Sequence, residues 1–185
     1  MKIEIISGSP RKNSMTHRVA LFLENKLKTE TEHEVGVIAL KDYDIPFVQN
    51  VWVTPEKAPE SLRPLAQRIF EADAFILVTP EYNGGYSPAL KNFVDHFPKQ
   101  GHKTFGIVTA SPGAMGGMRA SQQMLLLVPG LFGLVSPYML IVPAVDKKFN
   151  EAGELTDESF TNAVNTFAAE FLWLAERTAT EKIAI

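Results

Sequence analysis

Short, almost wholly apolar runs alternate along this chain with stretches whose apolar residues recur every three or four positions. Residues 2–6 predict a first strand, and Met15, Val19, Phe22, Leu23 and Leu27 then fall at helical spacing. Residues 33–40 predict a second strand. Leu62, Leu65, Ile69 and Phe70 predict a helix beginning near Pro64. Ala74–Thr79 is apolar throughout, as a strand covered on both faces should be. Ser87 and Pro88 then supply an N-cap and a first helical position for a helix through Leu90, Phe93, Val94 and Phe97. Residues 103–110 predict a fourth strand, 117–128 a fourth helix and 134–142 a fifth strand. That last strand carries Pro137, which an edge position tolerates. Phe160, Val164, Phe167, Phe171 and Leu174 stripe a final helix.

Five strands alternating with five helices predict an α/β fold, a doubly wound parallel sheet with helices on both faces. The common order for five strands is 2-1-3-4-5, which puts the Pro137 strand at an edge. No repeat, low-complexity stretch or linker interrupts the pattern, so residues 1–185 read as a single domain. Residues 42–59, rich in proline and aromatics, form the longest irregular connection, either a functional loop or a surface crossing.

In that order strands 1, 3 and 4 are neighbours, and ligands bind beyond their carboxyl ends. Three unusual segments follow those strands. The first, residues 8–16, runs Gly-Ser-Pro-Arg-Lys-Asn-Ser-Met-Thr into a helix. A helix start offers unpaired N–H groups and the positive end of a dipole. Ser9, Ser14 and Thr16 add hydroxyls and Arg11 a forked cation, a set suited to the phosphate of a small molecule. The same residues also suit an ordinary capped turn. The second segment, residues 79–88, pairs Gly84 and Gly85 with Tyr82 and Tyr86. Glycine lets a ligand approach the backbone and tyrosine can cover a flat ring, or the glycines supply positive φ in a surface turn. The third, residues 110–119, is glycine-rich and opens a helix, so its N–H groups could face negative charge; a plain connector has the same composition. None of the three is a dinucleotide fingerprint or a Walker A loop.

Composition narrows the partners. The net charge is −3, with 18 basic and 21 acidic residues, so no basic face for nucleic acid is implied. The absence of cysteine removes thiol catalysis and cysteine-held metal. No leader pattern or membrane-length apolar run stands in the sequence, so a soluble, cytoplasmic protein is expected, without membrane partners. His17, His33, His96 and His102 lack metal-ligand spacing and read as surface or capping residues, so no metal is expected. Asp42 and Asp44 read as solvated loop residues, Ser87 as a helix cap rather than a nucleophile, and Met115, Met118 and Met124 as packing.

With Gly8-Ser9-Pro10-Arg11-Lys12-Asn13-Ser14, Pro80-Glu81-Tyr82-Asn83-Gly84 with Leu90-Lys91-Asn92, and Ser111-Pro112-Gly113 through Gly116-Gly117-Met118-Arg119-Ala120, the chain resembles the NAD(P)H-dependent FMN reductases. These include flavodoxin-like flavin, quinone, azo-dye and chromate reductases. The resemblance implies a flavodoxin-like FMN-binding domain. It implies that Ser9, Arg11, Ser14 and Thr16 hold the FMN phosphate, with Thr16 standing where many members have Asn, and that Asn13 and Met15 of the same loop also bind the cofactor. Pro80, Glu81, Tyr82, Asn83 and Gly84 would meet the isoalloxazine ring, largely through backbone, and Ser111, Gly113, Gly116 and Gly117 would border it. It also implies NADPH or NADH as reductant, ping-pong hydride transfer to a small acceptor, and no catalytic side chain, since the flavin carries the reaction. A homodimer or homotetramer is implied as well, with residues 42–59 as an interface element. The rivals are a flavodoxin-type electron carrier, a flavin-based sensor, and a phosphate-ligand module without flavin. Arg11, Lys12 and the mild charge favour the reductase over the carrier.

Overall fold

The two central strands, residues 74–79 and 104–110, are buried along their whole length because helices cover both faces of the sheet. The computed structural model describes residues 1–180. In chain order its regular elements are β1 (Lys2–Ser7), α1 (Met15–Glu30), β2 (Glu34–Ala39), α2 (Arg63–Glu71) and β3 (Ala74–Thr79). A small antiparallel pair follows, β4 (Glu81–Tyr82) with β5 (Gly85–Tyr86), then α3 (Pro88–Asp95), β6 (Thr104–Ala110) and α4 (Met118–Gly130). β7 (Leu134–Val135), β8 (Leu140–Val142), α5 (Val145–Lys148) and α6 (Thr161–Thr180) complete the described chain. The main sheet runs β2-β1-β3-β6, with β7 and β8 both pairing with β6 and every ladder parallel. This is the expected 2-1-3-4-5 order, with its fifth place filled by two short strands.

Alternation along β3 makes the layers. Ala74, Ile76 and Val78 pack with α1 and α6, which bring Val19, Leu23, Phe167 and Phe171. Phe75 and Leu77 pack with α2, α3 and α4, which bring Leu65, Ile69, Leu90, Phe93 and Met124. On the second face the Arg68 guanidinium donates to both Glu4 carboxylate oxygens, at 2.9 and 2.6 Å, and so ties α2 to β1.

The fifth strand is not continuous over 134–142. Leu134 and Val135 stand opposite Thr104 and Phe105, and pairing resumes with Leu140 opposite Val108. Four residues, Ser136 to Met139, therefore span the two β6 residues Gly106 and Ile107. Pro137 lies in this excursion and has no N–H for a ladder. An edge accommodates the break, as the position of the proline suggested, but as an interruption rather than a tolerated member.

Registers decide where the connections emerge. Ser7 is level with Val78, Thr79 with Thr109, and Ala110 with Val142. The carboxyl ends of β1, β3 and β6 thus finish side by side, and the three segments after them leave the sheet together. Residues 43–59 form a strap over α3. Trp52, 5% exposed, stacks on His96 with ring centroids 4.1 Å apart, and its backbone N–H donates to His96 O at 2.6 Å.

Candidate active site

The crevice begins where β1 gives way to α1. Ser14 is the N-cap of α1, and its Oγ accepts the His17 N–H at 3.2 Å. Among the described residues, the N–H groups of Asn13, Ser14, Met15 and Thr16 donate to no group of the chain. Ser9 is buried, with its Oγ accepting the Arg11 N–H at 3.3 Å. Thr16 is buried too, and its hydroxyl has no partner among the described residues. The result is a concave run of free donors at a helix start, the arrangement that anions fill.

Eight of the residues singled out in the sequence line one cleft of about 130 Å³: Ser9, Arg11, Asn13, Ser14, Met15, Thr16, Pro80 and Tyr82. Ala110, Pro112 and Val145 complete it. Ala110 and Pro112 belong to the third segment marked in the sequence, whereas Val145 carries no signal of its own and is placed by α5. The Arg11 guanidinium lies over the Tyr82 ring, 5.0 Å from its centroid, joining the first loop to the second.

Beneath the cleft, Gly8 N–H donates to Val78 O at 2.8 Å, and the Ser87 hydroxyl donates to Gly8 O. Ser87 Oγ in turn accepts the Leu90 N–H at 3.0 Å as the N-cap of α3. That commits the hydroxyl to structure, in keeping with the capping role read from the sequence. His17, expected as a surface or capping residue, packs inward instead, its Nδ1 3.1 Å from Ser7 Oγ. Burial pushes its pKa below the usual histidine value, and the neighbouring Lys41 charge acts in the same direction.

Other singled-out residues stand around the cleft rather than in its lining. Asn83 and Gly84, with φ of 51° and 84°, form the two-residue turn joining β4 to β5, so the positive-φ pair is Asn-Gly rather than the two glycines. The Asn-Gly dipeptide is the sequence signal from which this hairpin could have been read. Glu81, on β4, reaches across to α4, where its Oε2 accepts the N–H groups of Arg119 and Ala120 at 3.0 and 3.4 Å. Ser111 Oγ accepts the Gly113 N–H at 3.0 Å, and Gly116 N–H donates to Gly113 O at 3.2 Å. A Cβ on Gly116 would sit 2.7 Å from Ile141 Cγ2 and 2.7 Å from Pro143 N, so only glycine lets this loop press on the end of β8. Several of the third loop's amides are thus already engaged, and those of Ala114, Met115 and Gly117 are left without a partner among the described residues.

The model of the NADPH-dependent FMN reductase family matches residues 1–145, all three loops included. The chain belongs to that family. It is an oxidoreductase, and the cofactors are those of the family, FMN and NAD(P)H. The chain is 28% identical over 177 residues to an FMN-dependent NADPH-azoreductase of Staphylococcus aureus strain USA300, covering 93% of this chain and 94% of that one. Its backbone is similar to that of FerB, a flavoenzyme NAD(P)H:(acceptor) oxidoreductase from Paracoccus denitrificans (TM-score 0.76, 23% identity, 95% and 97% of the two chains). It is also similar to a flavodoxin from the domain Archaea (TM-score 0.61, 14% identity, 96% and 99%). These likenesses place the fold among the flavodoxin-like proteins. Among the described residues no helix is long and apolar enough to cross a membrane.

Proposed function

We propose that this chain is an FMN-dependent NAD(P)H reductase of a small electron acceptor, acting as one domain in which all three loops serve one bound flavin. The observation that carries the reading is the run of unpaired amides from Asn13 to Thr16, set beside the Arg11–Tyr82 stack. FMN fits this donor set: a dianionic phosphate satisfies several N–H groups at once, and a flat ring matches the tyrosine face next to it. When bound, FMN supplies the redox chemistry, hydride in from nicotinamide and electrons out to the acceptor.

The chain's own residues bind and orient. Ser9, Ser14 and Thr16 hydroxyls, the amides of residues 13–16 and the Arg11 guanidinium hold the phosphate. Pro80, Tyr82, Asn83 and Gly84 would support the flavin ring, and the free amides of Ala114, Met115 and Gly117 would stabilise negative charge on it. Ser111, Gly113 and Gly116 fix the path of that third loop. A cleft of about 130 Å³ is well under the ~300–1,000 Å³ of an enclosed ligand pocket, so part of a bound FMN would lie outside it, open to a second ligand. One open face means that reductant and acceptor use it in turn, which is ping-pong kinetics. An azo compound is the first acceptor to try, since the Staphylococcus aureus relative carries that name; quinones, free flavin and metal oxyanions follow. The exposed apolar residues of the strap, Phe47 at 84% and Val53 at 58%, support a homo-oligomer built through residues 42–59.

The test is an anaerobic titration of FMN-loaded protein with NADPH and then NADH, followed by visible absorbance. Rapid bleaching, with colour restored by an acceptor, is the expected result. Bound flavin that stays yellow would make the protein a carrier or sensor, and failure to bind FMN would overturn the ligand itself.

A further inference from the structure

Helix α4 lacks an N-cap of its own. The residue in the capping position is Gly117, with φ of 86° and no side chain to receive the first-turn amides. The cap arrives from another loop: Glu81 Oε2 accepts the Arg119 and Ala120 N–H groups. A carboxylate here does two things. It satisfies two amides that the helix leaves open, and it sets a full negative charge against the roughly half positive charge of a helix start. It also bolts β4, which carries Tyr82 toward the cleft, to the helix that ends the third loop.

We infer that Glu81 is a positioning residue that cancels the positive end of α4 and so holds the reduction potential of the bound flavin below the value an uncapped helix would impose. This rests on the reading that FMN lies across the three loops. A reduced flavin carries more negative charge than an oxidised one, so a bare helix start at its edge favours reduction and a carboxylate at that helix start opposes it. Glu81 thereby biases the cofactor toward giving its electrons up. The amides left for the flavin are the neutral ones of Ala114, Met115 and Gly117, not the dipole-bearing first turn of α4.

Two variants separate the charge from the connection. Glu81→Gln keeps an oxygen that accepts the same amides and removes the charge. Glu81→Ala removes both. In the FMN-loaded protein, Glu81→Gln should raise the midpoint potential, about tenfold in the oxidised-to-reduced ratio at fixed potential, or ~30 mV for a two-electron couple. Its unfolding midpoint should stay near that of the parent protein. In the protein without FMN, hydrogen exchange at Arg119 and Ala120 should accelerate in Glu81→Ala and change little in Glu81→Gln. An unmoved potential in Glu81→Gln overturns the electrostatic role. Unmoved exchange in Glu81→Ala overturns the cap. A parent protein that takes up no FMN while these amides remain protected overturns the functional reading and the potential claim with it, and is distinguished from the other two by the parent's own flavin titration.

Discussion

Arg11 and His17 lie six residues apart, one in the cleft lining and the other turned toward Ser7. The Arg11 guanidinium is exposed, stacked over Tyr82 and bordering the unpaired amides. Arg11→Ala should weaken FMN binding by the worth of a charged hydrogen bond, about 1.5–3 kcal/mol. Fluorescence titration reads this directly, and unchanged affinity would place the phosphate elsewhere. His17 makes a prediction about pH. Its folded-state pKa lies below the ordinary value of about 6.5, because burial and Lys41 oppose the charge more than Asp42 and Glu24 favour it. Below pH 6.5 the unfolded chain then binds the proton more readily than the folded one. Stability should fall as pH drops from 6.5 toward the folded pKa, and be untouched by this group above 6.5. Urea midpoints from pH 7.5 to 5 should show a shallower loss in His17→Gln than in the parent protein. The hydroxyls and the arginine of the first loop were legible in the sequence because their types and order carry chemistry. The inward turn of His17 was not, since a histidine in a first helical turn looks the same whether it caps or packs.

At the scale of elements, the loop after β6 is tightly constrained. Gly116 combines φ of 60° with backbone and side-chain atoms of the 141–143 segment within 2.7–2.9 Å of where a Cβ would stand. Gly116→Ala should cost at least ~1–2 kcal/mol from the left-handed backbone alone. It should also lift the third loop off β8 and weaken FMN binding. Normal flavin affinity in a variant of lowered urea midpoint would separate this loop from the cofactor. The long strands and helices could be read in advance because a continuous apolar run marks a strand covered on both faces and a 3.6-residue period marks a helix, and both signals extend over many residues. Short elements could not. The β4–β5 hairpin has two residues a side, too few for alternation to register, and its one signal is Asn83-Gly84. The split between β7 and β8 depends on how many residues Pro137 leaves outside the ladder, which pattern alone does not count.

At the scale of the molecule, two observations bear on stability and assembly. Phe167, fully buried, lies at the centre of the face that α6 shares with the sheet. Phe167→Ala should cost about 3–5 kcal/mol in chemical denaturation, with a single transition if the sheet and α6 unfold together. The strap, by contrast, is anchored through Trp52, His96 and Asn92 while Phe47 points to solvent. If that face joins two copies, Phe47→Ser should shift sedimentation toward the monomer without lowering the unfolding midpoint. An unaltered mass would assign assembly to another surface.

The chain by itself determined the architecture and the chemistry of the crevice. Apolar runs and helical periods are written residue by residue, and a hydroxyl–arginine loop at a helix start offers the same kinds of donor wherever it occurs. Tertiary structure decided which groups remain free to act. Whether an amide is spent inside the protein depends on partners far away in sequence: Glu81 takes those of Arg119 and Ala120, while the 13–16 run and Ala114, Met115 and Gly117 are left open. Those pairings come from the common level at which β1, β3 and β6 end, a consequence of sheet register that no local pattern encodes.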